Sequence, residues 1–83
     1  MKYQVFWRQL ALEQMLDLAA INARQARRIS VVTRSMQIGQ FGDIKKLSGS
    51  NEWRVRVGDW RVGLLLTGNE VYITEVNNRR DAY

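Results

Sequence analysis

The chain has 83 residues with no cysteine, histidine or proline, and 13 Lys+Arg against 8 Asp+Glu leave a formal charge of +5. That length supports one domain over residues 1–83 with a single modest core. The missing residue types exclude disulfides, thiolate nucleophiles, zinc sites built on Cys or His, and any mechanism that needs an imidazole.

Residues 3–7, short and rich in aromatic and β-branched types, read as a strand. The chain turns polar at Arg8 and Gln9, so this start does not read as a signal peptide, and no apolar run is long enough to span a bilayer. From Arg8 the period becomes helical: Leu12, Met15, Leu16 and Ala19 form one stripe, with Glu13, Gln14 and Asp17 opposite. Asn22 is an N-cap candidate for a second helix. Ile29, Val32 and Met36 give that helix an apolar stripe, and Arg24, Arg27, Arg28 and Arg34 lie on its other side.

Residues 37–51 carry three glycines among polar residues and read as a loop. Residues 52–57 alternate, with Trp53, Val55 and Val57 on one face and Glu52, Arg54 and Arg56 on the other. Gly58-Asp59 is a two-residue hairpin signal. Strands follow over 60–66 and 70–76, joined by a turn at Thr67-Gly68-Asn69, and 77–83 read as a polar tail. The expected fold class is α+β with the order β-α-α-β-β-β. An antiparallel sheet has two helices packed on one face, and its other face is open.

The Gly58-Asp59 turn dictates a register in which Val57 faces Trp60, Arg56 faces Arg61, Val55 faces Val62, Arg54 faces Gly63 and Trp53 faces Leu64. All apolar partners then share one side. The other side gathers Arg54, Arg56 and Arg61, with open space at Gly63. Like charges in facing positions destabilise a sheet, so three guanidiniums on one patch call for an anion, and phosphate matches the planar fork of arginine. Arg79 and Arg80 in the tail could fold onto the same face, and Lys45 and Lys46 could flank it. The alternative, arginines splayed into water or bridged to Glu52 and Asp59, stays open on the sequence alone.

A cleavage of RNA by its own 2′-hydroxyl needs a proton acceptor, charge stabilisation at phosphorus and a proton donor for the leaving oxygen. Arginine supplies charge but stays protonated. Tyr83 is the candidate for proton transfer, with Lys45 or Lys46 as alternatives. Tyr83 ends the sequence, so an α-carboxylate beside its phenol would pair with an arginine or repel a phosphate. A frayed terminal residue without a role is the competing reading.

The segment Trp53-Arg54-Val55-Arg56-Val57-Gly58-Asp59-Trp60-Arg61-Val62, preceded by Lys46-Leu47-Ser48-Gly49, resembles the RelE branch of the RelE/ParE toxin superfamily. That branch reads K-L-x-G and then W-R-x-R-x-G-D-Y-R-V. The ending Val76-Asn77-Asn78-Arg79-Arg80-Asp81-Ala82-Tyr83 is similar to its V-G-H-R-R-D-V-Y terminus, and residues 3–18 fit its opening. The resemblance implies a RelE-like toxin of a type II toxin–antitoxin system in a bacterial or archaeal cytoplasm. Such a toxin is a ribosome-dependent, metal-independent mRNA endoribonuclease that cleaves in the A site and inhibits translation.

By the same resemblance Arg54, Arg56, Arg61, Arg79 and Tyr83 are the catalytic set, and Lys45, Lys46 and Arg80 bind RNA. The implied partners are a cognate antitoxin, the ribosome and mRNA, with no cofactor or metal. Asn78 stands where the branch often has His, and Arg54 and Arg56 stand where lysines are common. Two other functions compete: a ParE-like inhibitor of DNA gyrase, and a basic RNA-binding module without catalysis.

Overall fold

The computed structural model describes residues 2–47, 49 and 51–78. Strand β1 (Gln4–Trp7) is followed by helices α1 (Gln9–Ile21) and α2 (Ala23–Ser35) and a 3-10 turn (Met36–Ile38). Strands β2 (Asp43–Lys46), β3 (Glu52–Val57), β4 (Trp60–Thr67) and β5 (Glu70–Asn78) complete the described residues. They form one five-stranded sheet in the order β1-β5-β4-β3-β2. β1 runs parallel to β5, and each of the other neighbouring pairs is antiparallel.

The α+β class and the helix and hairpin order agree with the expectation, with one strand added and with a mixed sheet in place of the expected antiparallel one, because β1 joins β5 in parallel. β2 lies within residues 37–51, which read as a loop. Its Asp43, Lys45 and Lys46 are exposed and only Ile44 packs against the core, so four residues are too few to display an alternation. A short charged strand also suits a sheet edge, where unpaired backbone groups must be kept from joining another chain. At the other end, β5 runs on through Asn77 and Asn78, which read as tail.

The two helices are separated by Asn22 alone. Its backbone N–H donates to Leu18 O at 2.7 Å, closing α1. Its side-chain Oδ1 accepts from Gln25 N at 3.2 Å, satisfying one of the free amides that open α2. The expected cap therefore serves both ends of the turn.

Leu18, Ile29 and Met36 from the helical layer meet Val55, Val62, Leu64, Val71, Ile73 and Val76 from alternate strand positions in a single core. Ile29, Val32 and Met36 pack inward as expected. The α1 stripe does so only at Met15: Ala11 and Leu18 are buried, whereas Leu12 and Leu16 are 43% and 67% exposed. The cause is polar. The β1 ladder on β5 stops at Trp7↔Ile73, and α1 covers the edge beyond it. There Val76 N donates to Gln14 Oε1 at 2.6 Å, and Gln14 Nε2 donates to Asn77 Oδ1 at 3.1 Å. Turning Gln14 toward β5 turns Leu12 and Leu16 to the outside. Among the described residues no helix is long and apolar enough to cross a membrane.

Replacing Gln14 with leucine keeps the volume but leaves the Val76 amide without its acceptor. The variant is expected to lose about 1–3 kcal/mol of stability. Urea unfolding checks this, with a lower midpoint and an unchanged slope.

Candidate nucleic-acid interface

The register of β3 with β4 is the one the Gly58-Asp59 turn dictates, from Trp53↔Leu64 to Val57↔Trp60. Gly58 takes φ +63°, which an L side chain rarely adopts. From α2, Gln25 Nε2 donates to Val57 O at 3.1 Å, and the Arg28 guanidinium lies 3.1 Å from where a Cβ on Gly58 would stand. One arginine of the outer α2 face thus covers the turn that sets the register.

Residues opposite one another in neighbouring strands share a face, so the pairings place side chains in rows across the open side of the sheet. One row holds Asp43, Arg56, Arg61 and Asn77. The next holds Lys45, Arg54, Gly63 and Glu75. A third holds Glu52, Leu65, Tyr72 and Phe6. The structure brings together Arg54, Arg56 and Arg61, with Lys45 beside Arg54. Lys46 is on the other face: it pairs with Trp53, and its Nζ lies 5.7 Å from that ring's centre. Arg79, Arg80 and Tyr83 lie outside the described residues.

The open space expected at Gly63 is partly taken. A Cβ there would fall 2.8 Å from Thr74 Oγ1 and 2.9 Å from Glu75 Cγ. Glycine is required because β5 gains one residue against β4 between Gly63↔Glu75 and Leu64↔Ile73. This bulge crowds two consecutive β5 side chains over one β4 position. Glu75, Arg54, Arg61 and Asn77 surround a cavity of about 170 Å³. A larger groove of about 320 Å³ continues past Glu75 and Arg54 to Thr74, Leu65 and Arg8.

Glu75 is one residue of this face that the sequence reading missed. Strict alternation from Val71 and Ile73 would turn it inward, and only the bulge at Thr74 restores Val76 to the core and puts Glu75 on the open face. Tyr72 and Phe6 were missed as well. Their rings stack with centroids 5.3 Å apart at 21°, and the Arg8 guanidinium carbon lies 5.8 Å from the Tyr72 ring centre. Tyr72 OH donates to Glu70 Oε1 at 3.0 Å. That bond, helped by loss of hydration and by the Glu70 charge, pushes the Tyr72 phenol above its ordinary value, with Arg8 opposing. Tyr72 is therefore a neutral hydrogen-bonded ring at physiological pH and not a proton acceptor.

The surface thus combines a cluster of cations, the carboxylates of Asp43, Glu52 and Glu75 on the same face, and a stacked pair of rings next to Leu65 and Arg8 of the groove. Sequence comparison gives no match to a family model or to a curated protein. Structural comparison does. The RelE toxin fold of the RelB-RelE complex from Methanococcus jannaschii superposes with a TM-score of 0.69 at 24% identity, over 94% of each chain. The E. coli DinJ-YafQ complex gives 0.77 at 10% identity over 100% of this chain and 99% of that one. The YoeB/ParE toxin from Agrobacterium tumefaciens gives 0.75 at 16% identity, over 90% and 96%. The chain has the fold of the RelE-like toxins.

Two outcomes follow from this geometry. Gly63→Ala is expected to cost about 1–3 kcal/mol, because the new methyl must displace Thr74 or Glu75; chemical denaturation measures it. Glu70→Gln is expected to bring Tyr72 ionisation to lower pH in an ultraviolet difference titration. The sign for stability follows from the raised folded value: the contribution is present below the unfolded value of about 10 and is lost as pH climbs through the folded one.

Proposed function

We propose that this chain is the toxin of a type II toxin–antitoxin pair, an endoribonuclease that cleaves mRNA in the ribosomal A site and so stops translation in the cytoplasm. The observation that supports it best is a cavity lined by Arg54 and Arg61, with Arg56 paired opposite Arg61, in a RelE-like fold. One domain, residues 1–83, carries the activity, and a cognate antitoxin restrains it, as the paired toxins of similar fold suggest.

The reaction is attack of the 2′-oxygen on the adjacent phosphorus. A new P–O bond forms as the bond to the 5′-oxygen breaks, leaving a 2′,3′-cyclic phosphate and a 5′-hydroxyl. Arg61 and Arg54 are positioned to hold the equatorial oxygens, where negative charge grows. Arg56 extends that positive row and Arg79 joins it from the tail. Glu75, beside Arg54 and Arg61, accepts the 2′-hydroxyl proton, and Tyr83 orients or returns a proton to the leaving oxygen. Lys45 and Arg80 flank the RNA path, while Lys46, on the other face, adds only to the long-range field that attracts a polyanion. The step moves one proton from nucleophile to leaving group, and it needs no metal or cofactor.

Primer extension on programmed ribosomes tests this reading. Wild type is expected to give new mRNA ends at the A-site codon. Arg61→Ala is expected to slow cleavage about 10²–10³-fold, and Glu75→Gln about 10²–10⁴-fold. Tyr83→Phe is expected to slow it as well. Intact mRNA with wild type overturns the nuclease reading, and inhibition of gyrase supercoiling by the same protein would then replace it. RNA binding without cleavage would leave a non-catalytic module.

A further inference from the structure

We infer that the rings of Phe6 and Tyr72, with Arg8 beside them, form a stacking subsite for one unpaired nucleobase at the end of the groove away from Arg56 and Arg61. The inference rests on the reading of the open face as an RNA site, and it assigns that face a second element that recognises the base instead of the phosphate.

Position comes first. Phe6 lies opposite Tyr72, Tyr72 opposite Leu65 and Leu65 opposite Glu52, so these side chains occupy the same face as Arg54 and Arg61. The aromatic row and the arginine row are four residues apart along β4, roughly 13 Å at the rise of an antiparallel strand. The groove of about 320 Å³ lies between them: Arg54, Gly63 and Glu75 line the part toward the arginines, and Leu65 and Arg8, which neighbour the rings, line another.

Chemistry separates the two ends. Glu52 and Glu70 are the acidic groups of the aromatic end, and a phosphate placed there would meet their carboxylates. A base has no charge to repel, and its exocyclic amino group can donate to a carboxylate. Phe6 is 42% exposed, so part of its ring is open to a ligand. The ring is held by its stack on Tyr72, and Tyr72 is held in turn by its bond to Glu70. A platform already fixed loses little side-chain entropy when a base lands on it. Arg8 starts α1, where its backbone N–H donates to Ile73 O at 2.9 Å, so its guanidinium approaches the rings from a fixed anchor. Stacking of this kind tolerates any base, because every base presents a π-face.

The probes are two single-stranded hexanucleotides of equal charge, one carrying 2′-O-methylated mixed-sequence nucleotides and one with every base removed. Each is titrated into the full-length protein at low ionic strength and followed by NMR. The ring protons of Phe6 and Tyr72 are expected to shift upfield with the base-bearing strand only, whereas the Arg54 and Arg61 side-chain signals move with both. In Phe6→Leu, which keeps an apolar strand residue, affinity for the base-bearing strand is expected to fall about tenfold and affinity for the abasic strand to stay unchanged. Equal losses for both strands would make Phe6 merely structural and overturn the subsite. No loss for either would also overturn it while leaving the phosphate-binding face in place. Failure of both strands to bind wild type would overturn the subsite together with the RNA-binding reading beneath it.

Discussion

The extra residue that β5 carries against β4 at Thr74 decides what each face of this sheet presents. Before the bulge Val71 and Ile73 point into the core; after it Val76 does, and without the insertion Val76 would face water and Glu75 the core. The same insertion aligns Asn77 with Arg61 and brings Thr74 and Glu75 close over Gly63. A bulge bends its strand and increases the local twist, which gives a concave trough instead of a flat surface. The groove on the open face and the packing on the closed one are therefore two results of one backbone irregularity.

What the bulge creates, the surrounding structure has to hold. Beyond Ile73 the β5 edge has no β1 partner, and Gln14 on α1 substitutes for one by accepting from Val76 and donating to Asn77. On the other side of the sheet, Gln25 and Arg28 from α2 close over the Gly58 turn and so fix which arginines face each other. Facing Arg56 and Arg61 repel, and a sheet tolerates such a pair when its register is held by something else. Here that is the run of apolar pairs on the opposite face, together with the glycine turn. The core stabilises an arrangement that the open face alone would not choose.

Much of this was legible in the sequence, for physical reasons that also mark the limits. The hairpin from 52 to 66 could be read residue by residue, because strict alternation and a two-residue turn leave one register in which apolar side chains all agree. Asn22 could be read as a cap because its neighbours change helical face there. β2 could not, since an edge strand of four residues with three charged ones shows no period. The rotation of α1 was hidden because it is set by one glutamine that meets a strand edge more than sixty residues away in sequence. Glu75 was hidden because the bulge inverts parity with no glycine or proline in β5 itself; the glycine that goes with it, Gly63, is on the neighbouring strand. The tail residues Arg79, Arg80 and Tyr83 lie outside the described part of the chain, so the sequence remains their only warrant.

The composition of the open face bears on how the proposed reaction would divide its demands. Arginines bind and stabilise charge but do not take up protons, and the described part of the face offers a carboxylate, Glu75, set among them. A site so built is strong in electrostatic stabilisation and weak in proton abstraction. Its rate must then depend on how well the 2′-oxygen, phosphorus and leaving oxygen are aligned before the proton moves, and alignment of reacting groups can supply several kcal/mol. A protein of this size, with a groove open to solvent, would hold RNA through only a few contacts. A second body that fixes the RNA would meet that demand, and in the proposed function the ribosome has that part.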